Sequence, residues 1–303
     1  WKTIPSKGMS DADTFGGNNG NLRLRGKNLY GTAANGAYYA TISFTSDDTS
    51  AKVACTGDIR TLLDYENYNT VNTSNARFCR LFSTCYILTS APELPATTLA
   101  DQCYSYMFNS CKSLTTAPEL PATTLADWCY ENMFRRCSSL TTAPELPAKT
   151  LADQCYSGMF SSCSSLTTAP ELKAETLADW CYSNMFFGCT SLTTAPELKA
   201  ETLAESCYNS MFYCCTSLTE APELPATTLA KRCYQSMFDL CTSLTEAPEL
   251  KATTLDSYCY NNMFNGCKKL QSVTIFATGG FDQYNLRNWL YDAGTGATSR
   301  TLT

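Results

Sequence analysis

From about position 77 onward, apolar and polar residues follow one pattern that returns every 26 residues. The tetrapeptide Ala-Pro-Glu-Leu begins at Ala91, Ala117, Ala143, Ala169, Ala195, Ala221 and Ala247. Cysteines keep the same step, one series running from Cys103 to Cys259 and a second from Cys85 to Cys267, with only Cys55, Cys79 and Cys214 outside the pattern. Self-similarity at such a period is the mark of a solenoid, in which no unit buries its apolar face alone and each depends on its neighbours. Within one unit, Leu125, Cys129, Met133 and Cys137 recur every four residues with Tyr130 and Phe134 beside them. That stripe predicts a short amphipathic helix, opened by Thr123 and Thr124 as caps with Asp127 near its positive end, and closed by Ser138 and Ser139. The Thr-rich run Ser139 to Ala143 predicts a short strand that stops before Pro144, which has no N–H for a ladder.

The fold class expected is therefore an α/β leucine-rich-repeat-like solenoid of 26-residue units, each a short strand, a turn and a short helix. Packed helices need roughly 8–10 Å and stacked strands about 4.8 Å, so such a stack should curve with its strands inside. Three regions follow: an N-terminal β-rich cap over 1–75, the solenoid over 76–272, and a C-terminal cap and tail over 273–303. In the first, Asn21 to Arg25, Tyr39 to Phe44 and Ala51 to Cys55 read as strands between Gly, Asn and Asp clusters. The run Arg77 to Cys85 reads as a degraded first unit. In the last region Val273 to Phe276 restores aliphatic residues, Asn285 to Tyr291 reads as a final helix, and Gly294 and Gly296 lead into a loose tail.

The run Met133-Phe134-x-x-Cys137-x-Ser139-Leu140 resembles the Ala-Phe-x-x-Cys-x-Ser-Leu core of the BspA-like leucine-rich repeats of bacterial surface proteins, over about Arg77 to Ser272. The resemblance implies that the segment after Ser-Leu is the inner strand and that the aromatic and the cysteine pack inside. It also implies an exported protein at a bacterial surface, associated with adhesion. One departure bears on the fold: Thr-Thr-Ala precedes the proline where the family carries branched aliphatics, so the strands should be very short or irregular.

Composition narrows the chemistry. A net charge of −6 and a pI near 4.8 argue against a nucleic-acid partner, which needs clustered Lys and Arg. No apolar run is long enough for a membrane helix, and the start of the chain lacks the apolar core of a signal peptide, so any export signal or anchor is expected outside this sequence. The absence of histidine removes Ser-His-Asp and Cys-His arrangements, and cysteines in apolar stripes stay protonated and inert, so no enzyme and no cofactor are expected. Asp11 and Asp13 before Gly16 resemble the start of a calcium loop, but Leu22 stands where its closing Glu belongs. The 18 cysteines allow buried thiols, disulfides or metal ligands. On a helix Cys103 and Cys111 lie about 12 Å apart, and neighbouring helices are too far apart for a bridge, which favours free thiols.

Positions that differ between otherwise copied units are those the stack does not dictate. One column reads Gln102, Trp128, Gln154, Trp180, Ser206, Arg232 and Tyr258, and another reads Asn109, Arg135, Ser161, Phe187, Tyr213, Asp239 and Asn265. Trp128, Trp180, Arg135, Phe187, Tyr213, Arg232 and Tyr258 are the candidate binding residues, since exposed aromatics and arginines anchor interfaces. The alternative is that the tryptophans lie across neighbouring units as packing. A glutamate ladder through Glu119, Glu145, Glu171, Glu197 and Glu223 is either a solvated face or a weak cation stripe. The function expected is recognition of an extracellular protein or glycan by a secreted or cell-surface module. The second expectation is a structural spacer or fibre component, such as part of a phage tail or surface appendage.

Overall fold

A computed structural model describes residues 22–34, 37–44, 46–48 and 50–303. The calcium-loop residues Asp11, Asp13 and Gly16 lie outside the described residues, as does Asn21 of the first expected strand. The chain is a repeat solenoid whose coils stack in register, each backbone bonded to the next about one period further on.

The expected helix is not there. Among the described residues the helical element is a single 3-10 turn, Ile59–Leu62, with Asp58 as its cap. Where the repeats carry their apolar stripe the backbone is a ribbon of overlapping turns. In the Cys103 coil, N–H groups of Cys103, Ser105, Met107, Asn109 and Cys111 donate to the carbonyl three residues earlier. The alternate residues Gln102, Tyr104, Tyr106, Phe108 and Ser110 donate to Asp127, Cys129, Glu131, Met133 and Arg135 of the next coil at 2.7–2.9 Å. Every second turn holds its third residue at positive φ, the requirement of a type II turn: 57° at Gln102, 55° at Tyr106 and 63° at Ser110. The structural repeat of the ribbon is thus four residues, which accounts for a stripe spaced by four and not by the 3.6 of a helix. Two residues point in and two out, so Cys129, Tyr130, Met133, Phe134 and Cys137 are at most 1% exposed while Glu131, Asn132 and Arg135 are half-buried and Arg136 is exposed.

The local sequence agrees with that backbone. The middle positive-φ column reads Tyr106, Asn132, Gly158, Asn184, Ser210, Ser236 and Asn262, rich in the residues that tolerate the left-handed region. At Gly158 a Cβ would stand 2.4 Å from Asn132 Oδ1, so here the glycine also allows close approach of the neighbouring coil.

The expected strand shrinks to single parallel bridges, Thr116 to Thr142, Thr168, Thr194, Glu220, Glu246 and Ser272 in turn. This agrees with the short or irregular strands that Thr-Thr-Ala implies, because a proline two residues on ends each ladder. With the helices gone, the reason for strong curvature goes too. Phenylalanine rings on the ribbon side stack at 5.6–5.8 Å, close to strand spacing and far below helix spacing.

The described part of the N-terminal region, from residue 22 on, forms an irregular extra coil more than a β domain. Strand β1, Val53–Ala54, pairs in parallel with β2, Leu88–Ser90, and bridges join Gly31 to Arg77 and Asp58 to Glu93. The expected strands at 22–25 and 39–44 are not formed as such, the second contributing one antiparallel bridge between Tyr39 and Ala33. At the other end Asn285 to Tyr291 is again turn ribbon, not a helix. The tail is tied down: β4, Thr301–Leu302, pairs in parallel with β3, Ser272–Val273.

Candidate binding face

The interior of the coils is a set of columns with one chemistry each. Tyrosines from Tyr104 to Tyr260 form one ring stack at 5.7–6.1 Å, and phenylalanines from Phe82 to Phe264 form another. The second cysteine series lies between coils as weak donors. The thiols of Cys111, Cys137, Cys163, Cys189, Cys215, Cys241 and Cys267 donate to the carbonyl of Phe82, Phe108, Phe134, Phe160, Phe186, Phe212 and Phe238 at 3.0–3.1 Å. All the cysteines are free thiols. The helix distances that favoured this reading do not apply, since adjacent coils are only a strand spacing apart. What keeps the thiols unpaired is their parallel stacking and the carbonyl each of these seven already serves. Burial pushes Cys129, Cys137 and Cys189 up to about 12, so none is a nucleophile near neutral pH.

The outward columns hold the candidate residues. Trp128, Trp180, Arg232 and Tyr258 follow one another along a single column on the outer face of the ribbon, all half-buried and all at positive φ, 56°, 59°, 56° and 58°. The Arg232 guanidinium sits 5.2 Å over the Tyr258 ring, and Tyr258 stacks on Tyr284 at 4.8 Å. In the second column Phe187 and Tyr213 are half-buried and stack at 4.7 Å with their planes 1° apart, while Arg135 stands two coils earlier. Between the two columns runs a floor of small polar residues, including Ser157, Gly158, Ser183, Asn184, Asn209 and Ser210. The structure thus puts all seven candidates on one face, in two parallel rails.

The glutamates occupy a different face and are all exposed. Lysines interleave with them: Lys199 Nζ lies 2.9 Å from Glu171 and 3.8 Å from Glu197, Lys173 lies 3.8 Å from Glu145, and Lys251 lies 3.2 Å from Glu223. The hydrogen bond from Lys199 holds the Glu171 carboxyl below its usual range. Among the described residues no group of three or more acidic or cysteine side chains is placed to hold a metal ion.

Two polar residues on the ribbon stand outside the candidates named from the sequence. Glu131 is half-buried and accepts from Ser105 Oγ at 3.2 Å and Asn132 Nδ2 at 3.1 Å, and burial pushes its carboxyl up. Asp239, 5% exposed, accepts from Asn265 Nδ2 at 2.9 Å, and burial pushes it up to about 6. The signal was available for Glu131, the one acid in a column otherwise Ser, Asn and Gln.

Two stretches, residues 79–185 and 175–285, match the BspA type leucine rich repeat region in 6 copies. The chain belongs to that family. Membership accounts for the copied interior of this BspA-type array: the phenylalanine, the cysteine and the Ser-Leu that follow are what close one coil onto the next. No curated protein matches the chain. Proteins of the BspA type are surface-associated repeat proteins, and among the described residues no helix is long and apolar enough to cross a membrane.

Proposed function

We propose that this BspA-type array is a recognition module acting outside the cell, at a bacterial surface or secreted from it, that binds a protein or glycan partner and carries out no catalysis. The observation behind this reading is the contrast between columns. Inward positions repeat without change from Cys129-Tyr130-x-x-Met133-Phe134 to Cys259-Tyr260-x-x-Met263-Phe264, whereas the outward rails change from coil to coil and carry Trp128, Trp180, Phe187, Tyr213, Arg232 and Tyr258. Large side chains at positions the fold leaves free are what an interface uses as anchors.

The structural alternative, a spacer or fibre, has one observation in its favour. The last coil leaves the N–H groups of Leu286, Asn288, Leu290 and Asp292 without a partner among the described residues, an open edge on which another unit could stack. At the opposite edge Thr32 and Ile42 donate to the carbonyls of Arg77 and Leu81, two of the four that match the acceptors of the next coil, Cys103, Ser105, Met107 and Asn109. Head-to-tail growth would have to displace those two contacts, and the binding reading is preferred. Surface plasmon resonance of the chain over immobilised mucin and purified matrix proteins, beside light scattering, tests the choice. Binding by a monomer is the expected result, and filaments with no ligand would transfer the case to the fibre.

A further inference from the structure

From Asn132 to Asn288 the middle positive-φ column of the ribbon holds only Asn, Gly and Ser, and its first two members, Arg80 and Tyr106, are large. Arg80 Cζ lies 4.2 Å from the centre of the Tyr106 ring on the next coil and 5.3 Å from that of Tyr39 in the N-terminal region. Ring faces hold the plane of a guanidinium but leave the N–H groups along its edge to find oxygen acceptors elsewhere. None is found among the described residues: Nε is buried without a partner, and no ion pair forms at Nη1 or Nη2, which are not buried. The Cys79 thiol beside the group is a weak acceptor. A cation held by its faces with its edge unanswered points to an anion from outside.

The acids of these coils do not serve it. Glu131 accepts from Ser105 Oγ at 3.2 Å, Asn132 Nδ2 at 3.1 Å and the Tyr106 hydroxyl at 3.4 Å, and it makes no ion pair with Arg80. Asp127 Oδ1 accepts from the Asp153 N–H at 3.1 Å, and Asp101 precedes Asp127 in the same column. The first three ribbon stretches, 77–85, 101–112 and 127–137, carry Arg77, Arg80, Lys112, Arg135 and Arg136 against Asp101, Asp127 and Glu131. The next three, 153–163, 179–189 and 205–215, carry one acid each and no cation. In a chain of net charge −6, this surplus of positive charge singles out one end of the ribbon face. The Tyr106 hydroxyl feels Arg135 as well as Arg80, which puts both cations about the same ring. Tyr39 is exposed, as are Tyr30 and Tyr38 of the same segment, and tyrosine beside arginine is the composition of a protein interface. A guanidinium whose plane is already fixed presents a fork that fits a carboxylate.

Resting on the recognition reading above, we propose that the first coils of the array dock an acidic segment of a partner protein. One of its carboxylates pairs end-on with the Nη1 and Nη2 edge of Arg80, and a neighbouring acid faces Arg135.

Fluorescence anisotropy of a dye-labelled hexaglutamate peptide titrated with the full chain tests this, with hexaglutamine as the neutral control. The hexaglutamate should bind, the hexaglutamine should not, and binding should weaken as salt is added. Arg80→Asn installs the residue that Asn132 and Asn184 show this column accepts, so the chain should melt as the parent does while binding falls about tenfold or more. Arg80→Lys keeps the charge but not the fork, and binding should fall nearly as far. Arg287→Asn, which removes a cation of the last coil, should bind as the parent does. No binding of hexaglutamate, equal binding by the parent and Arg80→Asn, or full binding by Arg80→Lys overturns the proposal. Tighter binding of trigalacturonate, a carboxylated oligosaccharide, overturns it too, because the partner is then a glycan. If the chain binds mucin or matrix protein and hexaglutamate does not compete, the acidic-segment assignment falls and the recognition reading stands; if it binds none of these, both fall.

Discussion

The carboxyl group of Asp239 lies almost wholly out of water with one amide donor, Asn265, and the low-dielectric surroundings raise its pKa to about 6. In the unfolded chain an aspartate titrates near about 4, so the folded state holds the proton more tightly than the unfolded one. Stability therefore falls as pH rises from about 4 through about 6 and then stays down, the charge being the unfavourable form. Asp239→Asn keeps an oxygen for Asn265 and removes the charge. It should stabilise the chain by about 1–2 kcal/mol at neutral pH and by almost nothing near pH 4, read as two melting curves against the parent. The cysteines give a second outcome at this scale. Denatured, unreduced protein treated with an alkylating agent should gain mass at essentially every cysteine, because the thiols are free. Recovery of several disulfides in that mass spectrum would contradict the parallel columns. Cys163→Ala should cost about 1–3 kcal/mol through the lost thiol bond to Phe134 and the gap left behind.

At the level of the element, the sequence disclosed the period, the buried set and the brevity of the strands, and concealed the backbone that joins them. Leu125, Cys129, Met133 and Cys137 are spaced by four, and a stripe spaced by four is close enough to a helix face to be taken for one over three steps. The distinguishing sign was a second column, Asn132, Gly158, Asn184, Ser210, Ser236 and Asn262, whose members are poor in helix interiors and at home at positive φ. Burial was readable because inward residues need the same apolar character in a helix or a ribbon. Distances were not, because a ribbon bonded coil to coil brings columns to strand spacing. The candidate residues show the same split: variability placed them on one outward face, where all seven are half-buried and not exposed, and Trp128 and Trp180 stand two coils apart at a ring step near 5.7–5.8 Å instead of the roughly 8–10 Å of packed helices. Far-UV circular dichroism decides between the backbones. A ribbon of turns should lack the paired minima of an α-helix, and a spectrum showing them strongly would restore the helical repeat.

Over the whole molecule, from Phe78 to Gly266, the ribbon's backbone hydrogen bonds between coils run one way, N–H toward the C-terminal end and carbonyl toward the N-terminal end. Each boundary in the array is a full set of such bonds together with one tyrosine, one phenylalanine and one cysteine contact, so coupling between neighbours is strong and nearly uniform. Stability in such a stack is a sum of weak units and strong interfaces, which makes a central defect act on both sides at once. Met133 is the place to put one: it is 0% exposed, and its carbonyl accepts from Phe108 of the preceding coil. Met133→Asp buries a charge with no counter-ion and should cost about 3–5 kcal/mol. The loss should fall first on the boundaries that flank this coil. Calorimetry should show the parent unfolding in one transition and the variant either much earlier or in two steps, as the coils on each side part company. Hydrogen exchange should locate the break at the amides of Phe108 and Phe134, whose acceptors are Met133 and Met159. A variant that melts in one unchanged transition would mean that this methionine does not lie between stacked coils, and the solenoid described above would have to be drawn differently.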